Sequence, residues 1–475
     1  MLMAAGWFPF RVNQRKFGQK GGQMAETKEG IVPDKQKAHG SPTKDFFVRM
    51  ITRDITLADC ILDLLDNSID GARRTLVRQK KDATGSSALA GYSASVDMSE
   101  QRFVIDDNCG GIGLSDAIDY AFHFGRRKDA PTDVDRSIGL YGIGMKRAIF
   151  KIGRKAVVES HTSADSFSVS VDVDTWETSD DWDFDLNGIA EANKVGTKVT
   201  IENIYPQVAA AFSDESFKNQ LIKTAARDYA FIIGKGFSIE IGGTKVPHYN
   251  YNLKEGEEVE SAVLEYTDGD VRVRIVAGLA NELADDIPEE LRPDETDPYG
   301  WYVICNDRVV LAGDKTEKTV WGHQNYRVWH PQYNGFAGFV FFDSNNPKSL
   351  PWTTTKREVD IGDPMYLRAV AKMKEVTDVF AAYTNQRKAD PKKAKDKESA
   401  AKFVLVSAVT TAARPMQLPK VSGTASGADH VTISYRKLRS EVKQVASALG
   451  NESMTAKDVG SKTFDYFRRM EFGTP

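Results

Sequence analysis

Three short segments between Asp63 and Lys146 constrain this chain more than anything else in it. The first, Asp63-Leu64-Leu65-Asp66-Asn67-Ser68, lies in a helical pattern over about 56–77. Leu57, Ile61, Leu64, Leu65, Ser68, Ala72 and Leu76 share one stripe, and Asp63, Asp66, Asn67 and Asp70 lie opposite. The second, Val104-Ile105-Asp106-Asp107-Asn108-Cys109-Gly110-Gly111-Ile112-Gly113, runs a strand into a turn that glycine makes permissive. The third, Gly139-Leu140-Tyr141-Gly142-Ile143-Gly144-Met145-Lys146, directly precedes a helical pattern over 145–152. Backbone N–H groups in such a turn, with the helix N-terminus behind them, favour a phosphate.

Each segment alone has a plainer reading. No Lys or Arg lies between Arg53 and Arg73, so the acids of the first segment read either as a solvated face or as a hard-cation site. In the latter an Asn oxygen ligates Mg²⁺ and a carboxylate orients water. The second segment is partly like a calcium loop counted from Asp106, but Gly110 and Ala117 stand where ligating side chains are needed. The third is not a Walker A loop, because Met145 follows Gly144. It also departs from a dinucleotide fingerprint, because Arg147 holds the third glycine position.

The remainder fits a chain of about three domains. Apolar residues make up 41% and charged residues 27%, a globular composition without a run long enough to span a membrane. Cys60, Cys109 and Cys305 are too few and scattered for a disulfide framework, which suggests a reducing, cytoplasmic setting. Net charge is −4, so nucleic-acid binding would need a local patch. The stretch 387–402 offers one, with seven bases and three acids. Residues 1–45 read as a basic and polar lead, with Met24 as a possible true start. Alternating helices and strands over 46–205 and again over 206–362 imply α+β layers, and 363–475 reads as a helical C-terminal region with a basic linker at 387–402.

The three segments in this order resemble the N-box and two G-boxes of the GHKL ATPases, the superfamily of gyrase B, 90-kilodalton heat-shock chaperones, histidine kinases and MutL. Gly196-Thr197-Lys198-Val199-Thr200-Ile201 resembles the late GT-strand of that fold. Tyr141 to Lys155 and Phe124-Gly125-Arg126-Arg127-Lys128 are similar to the phosphate segment and lid of the MORC-type branch and its bacterial relatives. The resemblance implies a two-layer α/β sandwich of Bergerat type, an S5-like transducer over 206–362, ATP and Mg²⁺ as ligands, and slow ATP hydrolysis with dimerisation on ATP binding.

Carried over residue by residue, the resemblance gives Asp107 the adenine amino group and Thr197 a supporting role. It gives Asn67 the Mg²⁺, and Gly111, Ile112, Gly139, Tyr141, Gly142, Ile143, Gly144, Met145 and Lys146 the nucleotide and its phosphates. Asp63 takes the place of the water-orienting acid, where the family usually has Glu, and Cys109 replaces a usual glycine. Lys356, in Leu350-Pro351-Trp352-Thr353-Thr354-Thr355-Lys356-Arg357, falls where a transducer lysine would reach the γ-phosphate. Asn306-Asp307-Arg308 resembles the N-x-R turn of transducer domains. A histidine kinase is disfavoured, since the only upstream histidine is His39 in a turn-like setting. The rival to an enzyme is an ATP-gated module with negligible hydrolysis, acting on a protein client or on nucleic acid through 387–402.

Overall fold

The computed structural model describes residues 42–125, 136–139, 142–190, 194–281, 299–353, 355–421 and 433–473. The first region contains α1 (Lys44–Arg53), α2 (Leu57–Arg78), β1 (Ser93–Met98), β2 (Arg102–Asp107), the short α3 (Leu114–Asp116), α4 (Gly144–Ile152), β3 (Gly153–His161), β4 (Ser166–Asp172), α5 (Val173–Thr178), β5 (Leu186–Gly188) and β6 (Gly196–Ile204). It continues through α6 (Pro206–Phe212), α7 (Glu215–Asp228), α8 (Ala230–Gly234), β7 (Ser238–Ile241) and β8 (Thr244–Lys245). The eight strands form one sheet in the order β5-β4-β3-β6-β2-β1-β7-β8. Helices α2 and α4 pack together, and Ile61, Leu65, Ile69, Ile149 and Phe150 share a core with Val96, Ile105, Val158 and Ile201 of the sheet.

Two sequence expectations change here. The boundary expected at 205 does not end the first sheet, because β7 pairs in parallel with β1, Ser93 opposite Ser238. The polar face of α2 is not a solvated face, because Asp63, Asp66 and Asp70 are all buried. Asp63 and Asp66 meet cations from distant parts of the chain, which a search for neighbouring Lys or Arg along the helix could not find, and Asp70 accepts from Ser137 and the N–H groups of Ile138 and Gly139. Helix α2 itself starts as its sequence dictates: Thr56 caps it, accepting from Asp59 N at 3.1 Å and donating to the Asp59 carboxylate at 2.7 Å.

The second region holds β9 (Asn252–Glu255), β10 (Ala262–Asp268), β11 (Val271–Leu279), β12 (Gly300–Cys305), β13 (Arg308–Asp314), β14 (Phe336–Asp343), α9 (Pro364–Gln386), α10 (Pro391–Ala400) and β15 (Lys402–Leu405). Five strands form a mixed sheet in the order β10-β11-β14-β12-β13, with β12 and β14 parallel. Helix α9 packs on this sheet through Phe380 against Phe336, ring centroids 5.1 Å apart, and Trp301 donates to Thr377 at 3.2 Å. The fold is therefore α+β in both regions.

The basic stretch 387–402 departs from the expected linker. Most of it is α10, held by a buried ion pair of Arg387 with Glu398 at 3.0 Å and capped by Asp390. Two further helices, α11 (Arg439–Ala448) and α12 (Ala456–Phe472), pack as a hairpin whose buried residues are Ala446 and Val459. Among the described residues, no helix is long and apolar enough to cross a membrane.

Candidate nucleotide site

At one end of the site, β2 carries Asp107 to the edge of the turn. Its Oδ2 accepts from Ser68 Oγ at 2.7 Å, and its Oδ1 accepts from the backbone N–H of Cys109 at 2.9 Å and of Thr197 at 3.1 Å. Burial raises the pKa of this carboxyl, and the three donated bonds oppose the rise. Thr197 thus meets Asp107 through its backbone. Gly111 has φ +71°, and a Cβ there would stand 2.3 Å from the His161 carbonyl oxygen, so only glycine fits. Ile112 is fixed by a bond from its N–H to Ser160 Oγ at 2.7 Å. Cys109 lies outside the left-handed region that Gly110 and Gly111 occupy, so a side chain is admitted there without backbone strain. Its thiol is buried and its pKa pushed up, so it is an inert packing group.

The third segment meets α2 from above. Asp70 accepts from the backbone N–H of Gly139 at 2.6 Å and of Ile138 at 2.8 Å. A Cβ on Gly139 would stand 2.9 Å from Asp70 Oδ2 and 3.6 Å from Asn67 Oδ1, so the missing side chain leaves room beside the exposed Asn67 amide. Helix α4 begins at Gly144 behind Ile143 with no side-chain cap, so no side chain claims its first N–H groups. Met145 is partly buried against the core. Tyr141 lies outside the described residues.

Lys146 differs from expectation. Its ammonium is buried and donates to the carbonyls of Ala121, at 2.9 Å, and of Gly142, instead of standing free beside the glycines. Burial brings its pKa down to about 7.

The charged end of the site joins both regions. Lys356 is buried, has φ +56°, and donates to Asp63 Oδ1 at 3.1 Å and Asp66 Oδ2 at 2.6 Å. Burial works against its charge, but Asp63 and Asp66 outweigh it and hold its pKa above the ordinary value. Arg147 of α4 donates to Asp63 Oδ2 at 2.7 Å. Asp66 also accepts from Arg308 Nε and from Tyr229 Oη, each at 2.8 Å. Against the cost of burial, Arg308 and Lys356 hold the Asp66 carboxyl at about 2.

The turn Asn306-Asp307-Arg308 supplies more of this joint. Asp307 pairs with Arg73 at 3.0 Å and with Lys235 at 2.7 Å, and Asn306 Nδ2 donates to the Ser137 carbonyl at 3.0 Å. Arg357 pairs with Asp59 at 2.5 Å and also with Asp228. The backbone of Asn306 and Asp307 is left-handed, with φ of +48° and +69°, which aims the flanking Arg308 at Asp66.

Sequence reasoning brought Asp63 and Lys356 forward, and the fold places them together. It missed Arg147, Asp66 and Tyr229 as partners in the same cluster, and gave Arg308 only a fold role. The one usable signal was spacing: Arg147 lies one helical turn beyond Gly144, within reach of whatever faces that glycine.

An eight-stranded sheet backed by helices, with a buried carboxylate at one end and an uncapped helix N-terminus at the other, defines a class of two-layer α+β nucleotide-binding domain. The family model for histidine kinase-, DNA gyrase B- and HSP90-like ATPases matches residues 55–203, and the chain carries a domain of that superfamily there. No curated protein matches the chain.

Proposed function

We propose that this protein is a Mg²⁺-dependent ATP-binding and ATP-hydrolysing switch in which the nucleotide controls how the first two regions sit on each other. The observation that carries this reading is the reach of Lys356 from the second region to Asp63 and Asp66 on α2, inside the matched domain. A nucleotide triphosphate beside α2 competes with those two acids for the same ammonium.

In this reading Asp107 accepts from the adenine amino group, with Gly111, Ile112 and Thr197 around the base. The N–H groups from Gly139 to Gly144 and the start of α4 cradle the phosphates, with Tyr141, Ile143, Met145 and Lys146 shaping that segment. The Asn67 amide oxygen is a hard ligand, and with the space left by Gly139 beside it this side chain would hold Mg²⁺. When bound, Mg²⁺ supplies charge neutralisation at the phosphates. Among the described residues, no group of three His, Cys, Asp or Glu side chains could hold a metal ion. Asp63 orients the attacking water, and Lys356 stabilises charge on the transferred phosphoryl group.

The proposed units are an ATP-binding domain over 46–205, continued in the sheet by β7 and β8, an S5-like transducer to 362, and a C-terminal region. Kinship with MORC-type proteins rests on the quoted motifs. We also propose a homodimer formed on ATP binding, a protein client and a cytoplasmic location. Nucleic-acid binding through 387–402 is weakened by the burial of Arg387 on Glu398 and the pairing of Lys397 with Glu258. The second reading, binding without turnover, is favoured by one observation: both oxygens of Asp63 already accept from cations.

Calorimetric titration with a non-hydrolysable ATP analogue and Mg²⁺, followed by light scattering, tests the switch. Binding with a doubled mass is expected; no binding overturns the reading.

A further inference from the structure

A short acid occupies the water-orienting position, and its surroundings suggest how it can serve. A Cβ built on Gly144 would lie 3.3 Å from Asp63 Cβ and 3.4 Å from its Oδ2, so the missing side chain lets the start of α4 lie close to this carboxylate. One turn later Arg147 reaches back and binds Oδ2 at 2.7 Å. Arg147 is 7% exposed, and its Nε is buried without a hydrogen-bond partner. A guanidinium held in such a place with one nitrogen unsatisfied is poorly explained as packing. Lys356 holds the other oxygen, but shares its ammonium with Asp66 at the shorter distance, 2.6 Å.

We propose that Arg147 is a positioning residue that fixes Asp63 by Oδ2 and keeps Oδ1 aimed at the phosphate side. The proposal rests on the ATP reading. Lys356 and Arg147 divide the carboxylate between them: the first comes from the second region and can be drawn to a γ-phosphate, while the second stays on α4. Once Lys356 moves to phosphate, Oδ1 is free to accept from water. The water oxygen bonds to the γ-phosphorus, and the bond from that phosphorus to the bridging oxygen breaks with its electron pair leaving on ADP. The water proton passes through Asp63 Oδ1 to the inorganic phosphate formed. Arg147 touches neither nucleotide nor water, and acts through Asp63 alone.

The test compares wild type, Arg147→Met, Arg147→Lys, Asp63→Asn and the Asp63→Asn/Arg147→Met double variant. It reads kcat and KM for MgATP, affinity for a non-hydrolysable analogue, and thermal melting. Methionine keeps the apolar stem and removes the fork. The expected result is a loss in kcat of about tenfold or more for Arg147→Met, with KM and analogue affinity within about threefold. Arg147→Lys recovers most of the rate, and the double variant is no slower than Asp63→Asn alone. If Arg147→Met melts below the assay temperature, the Arg147→Lys rate and the melting curves decide. A lysine variant that folds but turns over no faster than Asp63→Asn overturns the proposal.

Parental kcat in Arg147→Met, or losses that multiply in the double variant, also overturn it while leaving the ATP reading standing. Wild type that binds the analogue but releases no phosphate overturns the positioning role and spares nucleotide binding. Wild type that does not bind the analogue overturns both.

Discussion

The two ends of the site are built on opposite principles. Around Asp107 every bonded partner is neutral: a hydroxyl and two backbone N–H groups, from α2, the turn after β2 and β6. Around Asp63 and Asp66 the charged partners are Lys356, Arg147 and Arg308, with Tyr229 the one neutral donor, and two of the three cations arrive from the second region. Neutral, short-range bonds fix the Asp107 carboxylate, and they only partly oppose the cost of burying it. A buried ionic cluster shared by two regions is costly unless complete, and it responds when a new charge enters. The first end is suited to telling one base from another, and the second to sensing phosphate and transmitting it.

The comparison breaks most readily at Asp107. Asp107→Asn sets an amide N–H₂ group among three donors. We expect analogue affinity to fall on the order of 100-fold by calorimetry, with the relation between the two regions unchanged in small-angle scattering. A variant that binds normally would remove the recognition role of that end.

Lys356→Ala should act on the other end. Removing one partner from a buried ionic cluster costs about 3–5 kcal/mol, visible as a lower urea midpoint, and turnover should fall at least tenfold. A variant as stable and active as the parent would show that the joint between regions does not depend on this contact.

Asn67→Ala sharpens the account with a smaller effect. Asn67 is exposed, so the melting temperature should stay within about 2 °C, while the Mg²⁺ needed for half-maximal turnover rises about tenfold. An unchanged Mg²⁺ requirement would move the metal elsewhere.

The smallest effect is in the pH dependence of stability. Lys146 has its pKa lowered in the folded chain to about 7 by burial. The folded state binds fewer protons there than the unfolded state, so its stability penalty is complete below about pH 7. The penalty is relieved as pH rises toward the ordinary lysine value near 10.5. Lys146→Met should therefore raise the melting temperature at pH 7, with the gain shrinking by pH 10. A gain independent of pH would place the ammonium in solvent.

The residues at the Asp107 end, Ser68 apart, were singled out by the sequence, because they lie in contiguous segments whose glycines have steric causes. Gly111 cannot carry a Cβ beneath the His161 carbonyl, and Gly196 cannot carry one 1.9 Å from the Asp107 carbonyl oxygen. Such constraints leave fixed residues at fixed spacing. The charged end was half legible. Asp63 and Lys356 stood out, yet the acids of α2 read as either a solvated face or a hard-cation site, because the residues that bury and neutralise Asp63 and Asp66 are Arg147, Tyr229, Arg308 and Lys356, far along the chain. Alternating helices and strands over 206–362 were legible, but the parallel pairing of Ser238–Ile241 with β1 is a long-range choice that no local pattern encodes. Likewise, the charge of 387–402 suggested a linker, whereas the buried Ala394 and Glu398 make it a packed helix.

We propose that the site around Asp63 hydrolyses ATP. The most direct measurement is steady-state phosphate release from MgATP by the wild type beside Asp63→Ala and Asn67→Ala in the same buffer. The account predicts slow release by the wild type that falls to background in Asp63→Ala and drops sharply in Asn67→Ala. Equal rates in all three proteins, or no release by any of them, would contradict it.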